Sequence, residues 1–250
     1  MNEKNIMPTP ETLWPGGPRF MQAAHVRLGT DSVLLADFVN PAGARRGIDL
    51  GCASGINMLL LLTRAPALTM TGLEIVPEAA ALARENMALN GLSERAGVVT
   101  GDIRDHRTLF RAGSFELLVC NPPYFPRGSG ALPQDRDRAA ARSELLCTLP
   151  ELCAAAAYLL CTGGRACFVH RPERLSELLG CLAAAGLEPK RLRLVCKNEQ
   201  SAPSLVLVEA RRGGRPGLTI EPALYLQNPD GTESAAYRRI YHREESSVPG

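Results

Sequence analysis

The stretch Phe115-Glu-Leu-Leu-Val-Cys-Asn-Pro-Pro-Tyr124 contains an apolar run that stops abruptly at two prolines. A run of this length and composition is typical of a buried parallel strand. The prolines cannot continue a ladder of hydrogen bonds, so the strand is predicted to end just before them. Asn121 is therefore expected at the carboxyl end of a strand, where open α/β sheets bind their ligands.

The four residues from Asn121 to Tyr124 suit the binding of an aromatic amine. An exocyclic amine such as N6 of adenine is a poor nucleophile, because its lone pair is delocalised into the ring. The side-chain oxygen of Asn121 and the backbone carbonyl of Pro122 can accept its two N–H groups, and Tyr124 can stack on the base. The alternative is a proline turn after a strand, with Asn121 as a cap.

A second ligand-binding signal lies upstream, in Gly47-Ile-Asp-Leu-Gly-Cys-Ala-Ser-Gly-Ile56. The pattern predicts a short strand, a glycine-containing turn and a helix that continues to Leu62. Gly51 and Gly55 let the backbone approach a ligand closely. The third glycine of the nicotinamide fingerprint is missing, which argues against a nicotinamide oxidoreductase. By itself, the loop is equally compatible with a tight turn between strand and helix.

Acidic residues end the next two predicted strands. Glu74 lies near the end of a strand over 68–75, where a carboxylate can accept hydrogen bonds from both hydroxyls of a ribose. Asp102 follows a strand over 96–101 and can accept from an adenine amino group. The alternative for Asp102 is a helix cap for residues 103–109.

The remaining pattern alternates helices and strands. Thr30, Asp31 or Ser32 is expected to cap a helix over Val33–Val39. An alanine-rich helix is predicted over Leu146–Leu160, with Gly163-Gly164 as its stop and a strand over Arg165–His170.

Two further strands, Lys190–Lys197 and Leu205–Glu209, have no helical pattern between them. They are therefore expected to form a hairpin in which one strand runs antiparallel. Tyrosines interleaved with basic residues near the carboxyl terminus suit RNA, although charge runs are more often solvated faces.

The chain of 250 residues favours one main domain, and its net charge of +2 is too small to indicate nucleic acid by itself. We expect an N-terminal arm over 1–27, a core domain over 28–210 and a C-terminal extension over 211–250. The eight cysteines form no C-x-x-C pair and lie mostly in apolar segments, which favours reduced thiols in a cytoplasmic protein without zinc. No apolar run reaches membrane-spanning length.

Taken together, Asp49-x-Gly51, Glu74, Asp102 and Asn121-Pro-Pro-Tyr124 resemble the class I S-adenosylmethionine-dependent methyltransferases that act on amino nitrogens. Four further segments resemble the bacterial tRNA1(Val) adenine-N6 methyltransferases, which modify adenine 37 beside the anticodon. These segments are Leu28–Leu35, Asn121–Gly130, Val169–Leu175 and Glu188–Leu192. The resemblance extends from about Leu28 to Tyr241.

This resemblance implies a Rossmann-like α/β fold, with a mostly parallel seven-stranded sheet, one antiparallel strand and helices on both faces. It implies S-adenosylmethionine as cofactor and a single-stranded adenine in the anticodon loop of tRNA as substrate, with no metal and no membrane. The oligomeric state stays open. Other substrates also remain possible: an amine in rRNA, DNA or a protein glutamine. A non-catalytic RNA-binding protein with a vestigial cofactor pocket is the alternative from another class.

Site residues follow from the resemblance position by position. The expected catalytic residues are Asn121, Pro122 and Tyr124. The expected cofactor-binding residues are Asp49, Gly51, Ala53, Gly55, Glu74, Asp102, Ile103 and Asn121. The expected substrate-binding residues are Pro123, Phe125, Arg127 and Arg142. Ala53 stands where the family usually has glycine, and its methyl group is expected to crowd the cofactor.

Overall fold

The computed structural model describes residues 9–22, 29–122 and 147–243, which form a mixed sheet covered by helices. The strands are β1 (Glu11–Thr12), β2 (Arg19–Phe20), β3 (Arg46–Leu50), β4 (Thr69–Glu74), β5 (Ala96–Thr100), β6 (Phe115–Cys120), β7 (Leu160–His170), β8 (Leu187–Cys196), β9 (Pro203–Arg212), β10 (Thr219–Ile220) and β11 (Leu224–Tyr225). The helices are α1 (Thr30–Phe38), α2 (Ile56–Arg64), α3 (Pro77–Leu89), α4 (His106–Leu109), α5 (Leu149–Leu159), α6 (Leu175–Ala184) and α7 (Ala235–Ile240). Short 3₁₀ turns span Ile103–Asp105 and Pro172–Arg174.

Seven strands form the body of the sheet, in the order β8-β9-β7-β6-β3-β4-β5. All neighbouring pairs are parallel except those of β9, which runs antiparallel to both β7 and β8. The predicted mostly parallel, seven-stranded sheet with one antiparallel strand is confirmed, as is the late hairpin. Two-residue strands β10 and β11 also pair with β8, so the sheet has nine strands in all.

Alternate residues of the central strands face two different apolar layers, because successive side chains of a strand point to opposite faces. Leu117 and Val119 of β6 pack in a cluster with α1, α2 and α3. Leu118 and Cys120 pack in a second cluster with α5 and α6. The central strands are therefore buried on both faces, which explains their nearly continuous apolar sequence.

The prediction that Gly163-Gly164 stops the alanine-rich helix is wrong. Helix α5 begins at Leu149 behind a capping box of Thr148 and Glu151, and it ends at Leu159. Strand β7 starts at once, because Leu160 pairs with Phe115 of β6. The glycine pair lies inside this strand, where the register shifts and Gly163 has a φ of +81°. A glycine with positive φ is typical of such a bulge, so the pair marks irregular pairing here.

The first helix also differs from expectation. Helix α1 begins at Thr30, three residues early, and its N-cap is Gly29, with no side-chain cap. In the described part of the N-terminal arm, β1 and β2 form a short antiparallel ladder. In the described part of the chain, no helix is long and apolar enough to cross a membrane.

Candidate functional site

The sheet order brings the predicted polar residues together at the carboxyl ends of neighbouring strands. Strands β6, β3, β4 and β5 are neighbours in that order, and all four run parallel. Their carboxyl ends therefore present, side by side, Asn121, the loop from Gly51 to Gly55, Glu74 and Asp102. Neighbouring strands lie about 4.8 Å apart, so these four groups occupy three successive strand spacings.

The loop after β3 turns tightly around two glycines. Gly51 and Gly55 have φ values of +71° and +84°, a region that side chains disfavour. The backbone N–H groups of Gly51 and Cys52 donate to the carbonyl of Leu73, which ties the loop to the end of β4. A Cβ placed on Gly51 would meet no atom within 4 Å, so the backbone there borders open space.

Ala53 also adopts a left-handed conformation, with a φ of +47°. An alanine in this region costs roughly 1–2 kcal/mol, which a glycine would avoid. The N–H of Ala53 donates to Oε2 of Glu74 at 2.9 Å, which helps to hold the strained turn in place. The family's usual glycine thus has a backbone reason, and the expected crowding of the cofactor by the Ala53 methyl group stays a prediction.

Glu74 is a buried carboxylate fixed by backbone donors. Its Oε2 accepts from Ala53 and its Oε1 accepts from the N–H of Val76, both at 2.9 Å. A carboxylate offers about four acceptor positions, so these two bonds leave capacity for two hydroxyl groups. The two backbone donors therefore hold the side chain in one orientation.

Asp49 is fully buried under the same loop, and neither of its oxygens has a hydrogen-bond partner among the described residues. Burial raises the pKa of this carboxyl to about 8, and the nearby charge of Glu74 contributes. Asn57 of α2 lies close enough to lower the pKa in part, although the pair forms no hydrogen bond of normal geometry. A buried carboxyl without a partner suits a cationic ligand.

Asp102 is held by its neighbour Arg104. Its Oδ1 accepts from the backbone N–H of Arg104 at 2.8 Å and caps the turn that begins at Ile103. The guanidinium of Arg104 also contacts both carboxylate oxygens, and this pairing lowers the pKa of Asp102. The capping alternative is thus observed. An adenine amino group would have to share this carboxylate with the half-exposed side chain of Arg104.

Asn121 directly follows β6 and lies against the first turn of α1. Its Nδ2 donates to Oγ of Ser32 at 2.9 Å. Pro122 after it is buried. The other predicted residues of this part of the site lie outside the described residues: Pro123, Tyr124, Phe125, Arg127 and Arg142.

Sequence reasoning missed three residues of this site: Ser32, Asn57 and Arg104. The sequence predicts Ser32 only as a candidate helix cap, because 89 positions separate it from Asn121. Arg104 had a local signal, because it stands two residues after Asp102. No group of three or more metal-ligating side chains occurs in the described ranges.

These residues fit S-adenosylmethionine, which carries a sulfonium and an ammonium group, a ribose and an adenine. The partnerless carboxyl of Asp49 suits the cations, the open backbone at Gly51 leaves space, and Glu74 has capacity for ribose hydroxyls. The order of these groups along the sheet matches the order of the parts of the cofactor. Fold and site together define a class I methyltransferase.

Comparisons with known proteins agree with this class. The family described as "Methyltransferase small domain" matches residues 23–175. A tRNA1(Val) (adenine(37)-N6)-methyltransferase of Porphyromonas gingivalis is 35% identical over 192 residues, covering 74% of each chain. Its namesake in Shigella boydii is 33% identical over 218 residues, covering 86% of each. The chain belongs to the methyltransferase small domain family and, within it, to the tRNA1(Val) (adenine(37)-N6)-methyltransferases.

Solved structures support the fold. The crystal structure of an O-methyltransferase from Agrobacterium tumefaciens, assigned by prediction, superposes with a TM-score of 0.70 at 19% identity, covering 86% of this chain and 96% of that one. A geranyl diphosphate C-methyltransferase of Streptomyces coelicolor, solved with S-adenosyl-L-homocysteine, gives a TM-score of 0.54 at 15% identity, covering 72% and 76%. At these identities the likeness concerns the fold alone.

Proposed function

We propose that this protein transfers the methyl group of S-adenosylmethionine to N6 of adenine 37 in valine tRNA. The observation that carries the proposal is the order of groups along the carboxyl ends of the strands. Asn121 lies beside the loop that suits the methionine part of the cofactor, and Glu74 and Asp102 follow on the far side. The names of the relatives supply the substrate, and Asn121 supplies a group suited to an amine.

The cofactor would be held by residues from three strand ends. In this assignment, Asp49, Gly51, Ala53 and Gly55 surround its methionine part, and Glu74 binds its ribose. Asp102 and the backbone of Ile103 receive the adenine. The cofactor, when bound, supplies an electrophilic methyl group on a positively charged sulfur.

The target amine would be held by Asn121 and by the backbone carbonyl of Pro122, with Tyr124 stacked on the base. Two acceptors on the two N–H groups help to localise the nitrogen lone pair toward the incoming carbon. Pro123, Phe125, Arg127 and Arg142 are assigned to the grip on the RNA. The adenine is expected to leave its stack, because a stacked base cannot present its amine in a closed pocket.

The residues act mainly by positioning. Holding two reactants in attack geometry can supply roughly 7–11 kcal/mol of the barrier. The amine loses its proton after the carbon–nitrogen bond has formed, and water accepts it. None of these residues has to titrate near neutral pH for the transfer itself.

The replacement Asn121→Ala tests the role of this side chain. We expect kcat to fall about 10²–10³-fold, by analogy with the loss of one donor from an oxyanion site. The dissociation constant for S-adenosylmethionine should change far less, because the cofactor contacts of Glu74 and the loop after β3 stay in place. Turnover measured beside calorimetric binding separates the two effects, and near-wild-type turnover would remove Asn121 from its role.

The substrate is tested with radiolabelled S-adenosylmethionine and unmodified total tRNA, followed by nucleoside analysis. Label in N6-methyladenosine that maps to the anticodon loop of valine tRNA is the expected result. A valine tRNA transcript with guanine at position 37 is the matched control and should stay unlabelled. If tRNA takes no label although the cofactor binds, the tRNA assignment fails, and the same assay with rRNA, DNA and protein identifies the amine.

We also propose that the protein works in the cytoplasm, where tRNA is modified. All eight cysteines lie in described parts of the chain and are free thiols, which fits a reducing compartment. Fractionation of cells that express the tagged full chain tests this directly.

A further inference from the structure

Ser32 belongs to helix α1 and contacts Asn121 at the carboxyl end of strand β6. Ser32 lies in the first turn of α1, which packs on the sheet face that Leu117 and Val119 also face. Asn121 continues this alternation and therefore points toward α1. The hydroxyl of Ser32 accepts from Nδ2 of Asn121 at 2.9 Å, and only 8% of Ser32 is exposed.

The hydroxyl of Ser32 is not needed to cap the helix. The N-cap of α1 is Gly29, which has no side chain that could cap this end. The backbone N–H of Ser32 is already served by Oδ1 of Asp31 at 3.0 Å. Within the described residues, the hydrogen bond with Asn121 is therefore the one that engages the buried hydroxyl of Ser32.

An asparagine amide has a donor end and an acceptor end that differ only in which way the group is turned. When Nδ2 points at Ser32, Oδ1 is turned away from Ser32. In the opposite orientation, the NH₂ group of Asn121 would meet the N–H groups of a target amine, and two sets of donors repel each other. The polarity of this one amide therefore decides whether Asn121 can hold the amine at all.

A serine hydroxyl can donate as well as accept, so it does not by itself select one orientation of the amide. We propose that Ser32 is a positioning residue that holds the Asn121 amide in the arrangement observed, with Nδ2 donating to the hydroxyl, so that the amide oxygen serves as the acceptor for the target amine. The inference rests on the proposed function, because it assumes that Asn121 binds this amine. Ser32 touches neither substrate nor cofactor in this role. It acts only through Asn121.

The test is a double-mutant cycle on the full chain with tRNA as substrate. Ser32→Ala should lower kcat about tenfold, the effect of one net hydrogen bond, and should leave the dissociation constant for S-adenosylmethionine within about twofold. The variant should fold, because alanine is the best helix former. In the Asn121→Ala background, Ser32→Ala should have no further effect on kcat. Ser32→Thr, which keeps the hydroxyl, should recover most of the lost turnover.

The matched control is Ser114→Ala, which removes a hydroxyl that donates to the carbonyl of Arg111. Ser114 directly precedes β6 and so lies at the opposite end of this strand from Asn121. It should leave kcat unchanged. Wild-type kcat in Ser32→Ala, or a tenfold further loss in the double mutant, would overturn the inference while the proposed function stands. Near-wild-type turnover in Asn121→Ala would instead overturn the role of Asn121, and the role of Ser32 with it.

Discussion

Asp49 is a fully buried carboxyl. Its pKa of about 8 lies far above the value of about 3.9 for an unfolded chain, because the carboxyl is buried near Glu74. At neutral pH and without a ligand, the folded protein therefore holds a proton on Asp49 that the unfolded chain has released. Folding binds a proton in this range, so the free energy of unfolding must depend on pH.

The sign of this dependence follows from the direction of the shift. Since the folded state binds more protons, the free energy of unfolding should fall as the pH rises from about 4 to about 8, by at most about 1.4 kcal/mol for each pH unit. Asp49→Asn should remove this decline, which urea unfolding at a series of pH values measures. Saturating S-adenosylmethionine should flatten the decline in the wild type, because its positive charges favour the ionised carboxyl.

The control for this series is Glu116→Gln. Glu116 pairs with Arg46 at the amino end of the sheet, and this pairing lowers its pKa. Its contribution has the opposite sign: it is present above the unfolded pKa and is lost as the pH falls. The decline between pH 4 and pH 8 should therefore survive in this variant. If Asp49→Asn kept the decline as well, another group would be its source.

Single residues of the site differ in how well the sequence announces them. Asn121 is predictable, because two prolines end a buried strand directly after it. Ser32 is not predictable in its role, because its partner is 89 positions away and its own neighbourhood resembles a helix start. Site residues are therefore predictable where a suitable side chain coincides with a strand end that prolines mark. They are not predictable where the site depends on a contact between elements that are distant in sequence.

At the scale of elements, two asparagines attach the N-terminal arm to α3. Asn86 is fully buried and bonds both the N–H and the carbonyl of Met21, and it also donates to the carbonyl of Ser54 in the loop after β3. Asn90, one turn later, makes the same pair of bonds to Arg19 at the surface. The spacing of four places both amides on one face of the helix, where they hold alternate residues of the arm.

Asn86 and Asn90 therefore form a matched pair for mutation. Asn86→Ala should lower the free energy of unfolding by roughly 2–4 kcal/mol, because it leaves several buried polar groups without partners. Asn90→Ala should cost about 1 kcal/mol or less, because water can replace the lost bonds at the surface. Urea unfolding of both variants measures the difference. Equal losses would contradict the view that Asn86 fastens the arm and the loop together.

Element boundaries were predictable where local and long-range signals agree. The sequence predicts the strand over Phe115–Cys120 correctly, because its apolar run is buried and two prolines follow it closely. The predicted start of β7, at Arg165, is five residues late, because Leu160 pairs with Phe115 of β6 and nothing in the alanine-rich segment before it indicates this pairing. Glycines stop helices and also permit bulges, and only the neighbouring strand decides between these two outcomes.

At the scale of the whole molecule, a net charge of +2 gives no general attraction for RNA, so any attraction must come from the distribution of charge. Helix α7 starts at the end of the sheet where the site lies. Ser234 before it donates to the carbonyl of Tyr225 at the carboxyl end of β11, and β11 runs in the same direction as β6. The helix also packs against α1. Arg238 and Arg239 on this helix are exposed, and neither pairs with a carboxylate in the described part of the chain.

We therefore expect Arg238 and Arg239 to contact tRNA phosphates beside the site. Changing both to glutamine should raise KM for tRNA and should reduce the slope of log affinity against log salt by about 2, one for each lost phosphate contact. Both kcat and cofactor binding should stay near wild type. The control is Arg111→Gln, because Arg111 is exposed and lies before the amino end of β6, at the opposite end of the sheet from the site. This change should alter none of these quantities. If the wild type, the double variant and Arg111→Gln gave equal salt slopes, the RNA would have to bind elsewhere on the protein. The slope measures how many phosphates the surface neutralises, and it does not depend on the chemistry at the site.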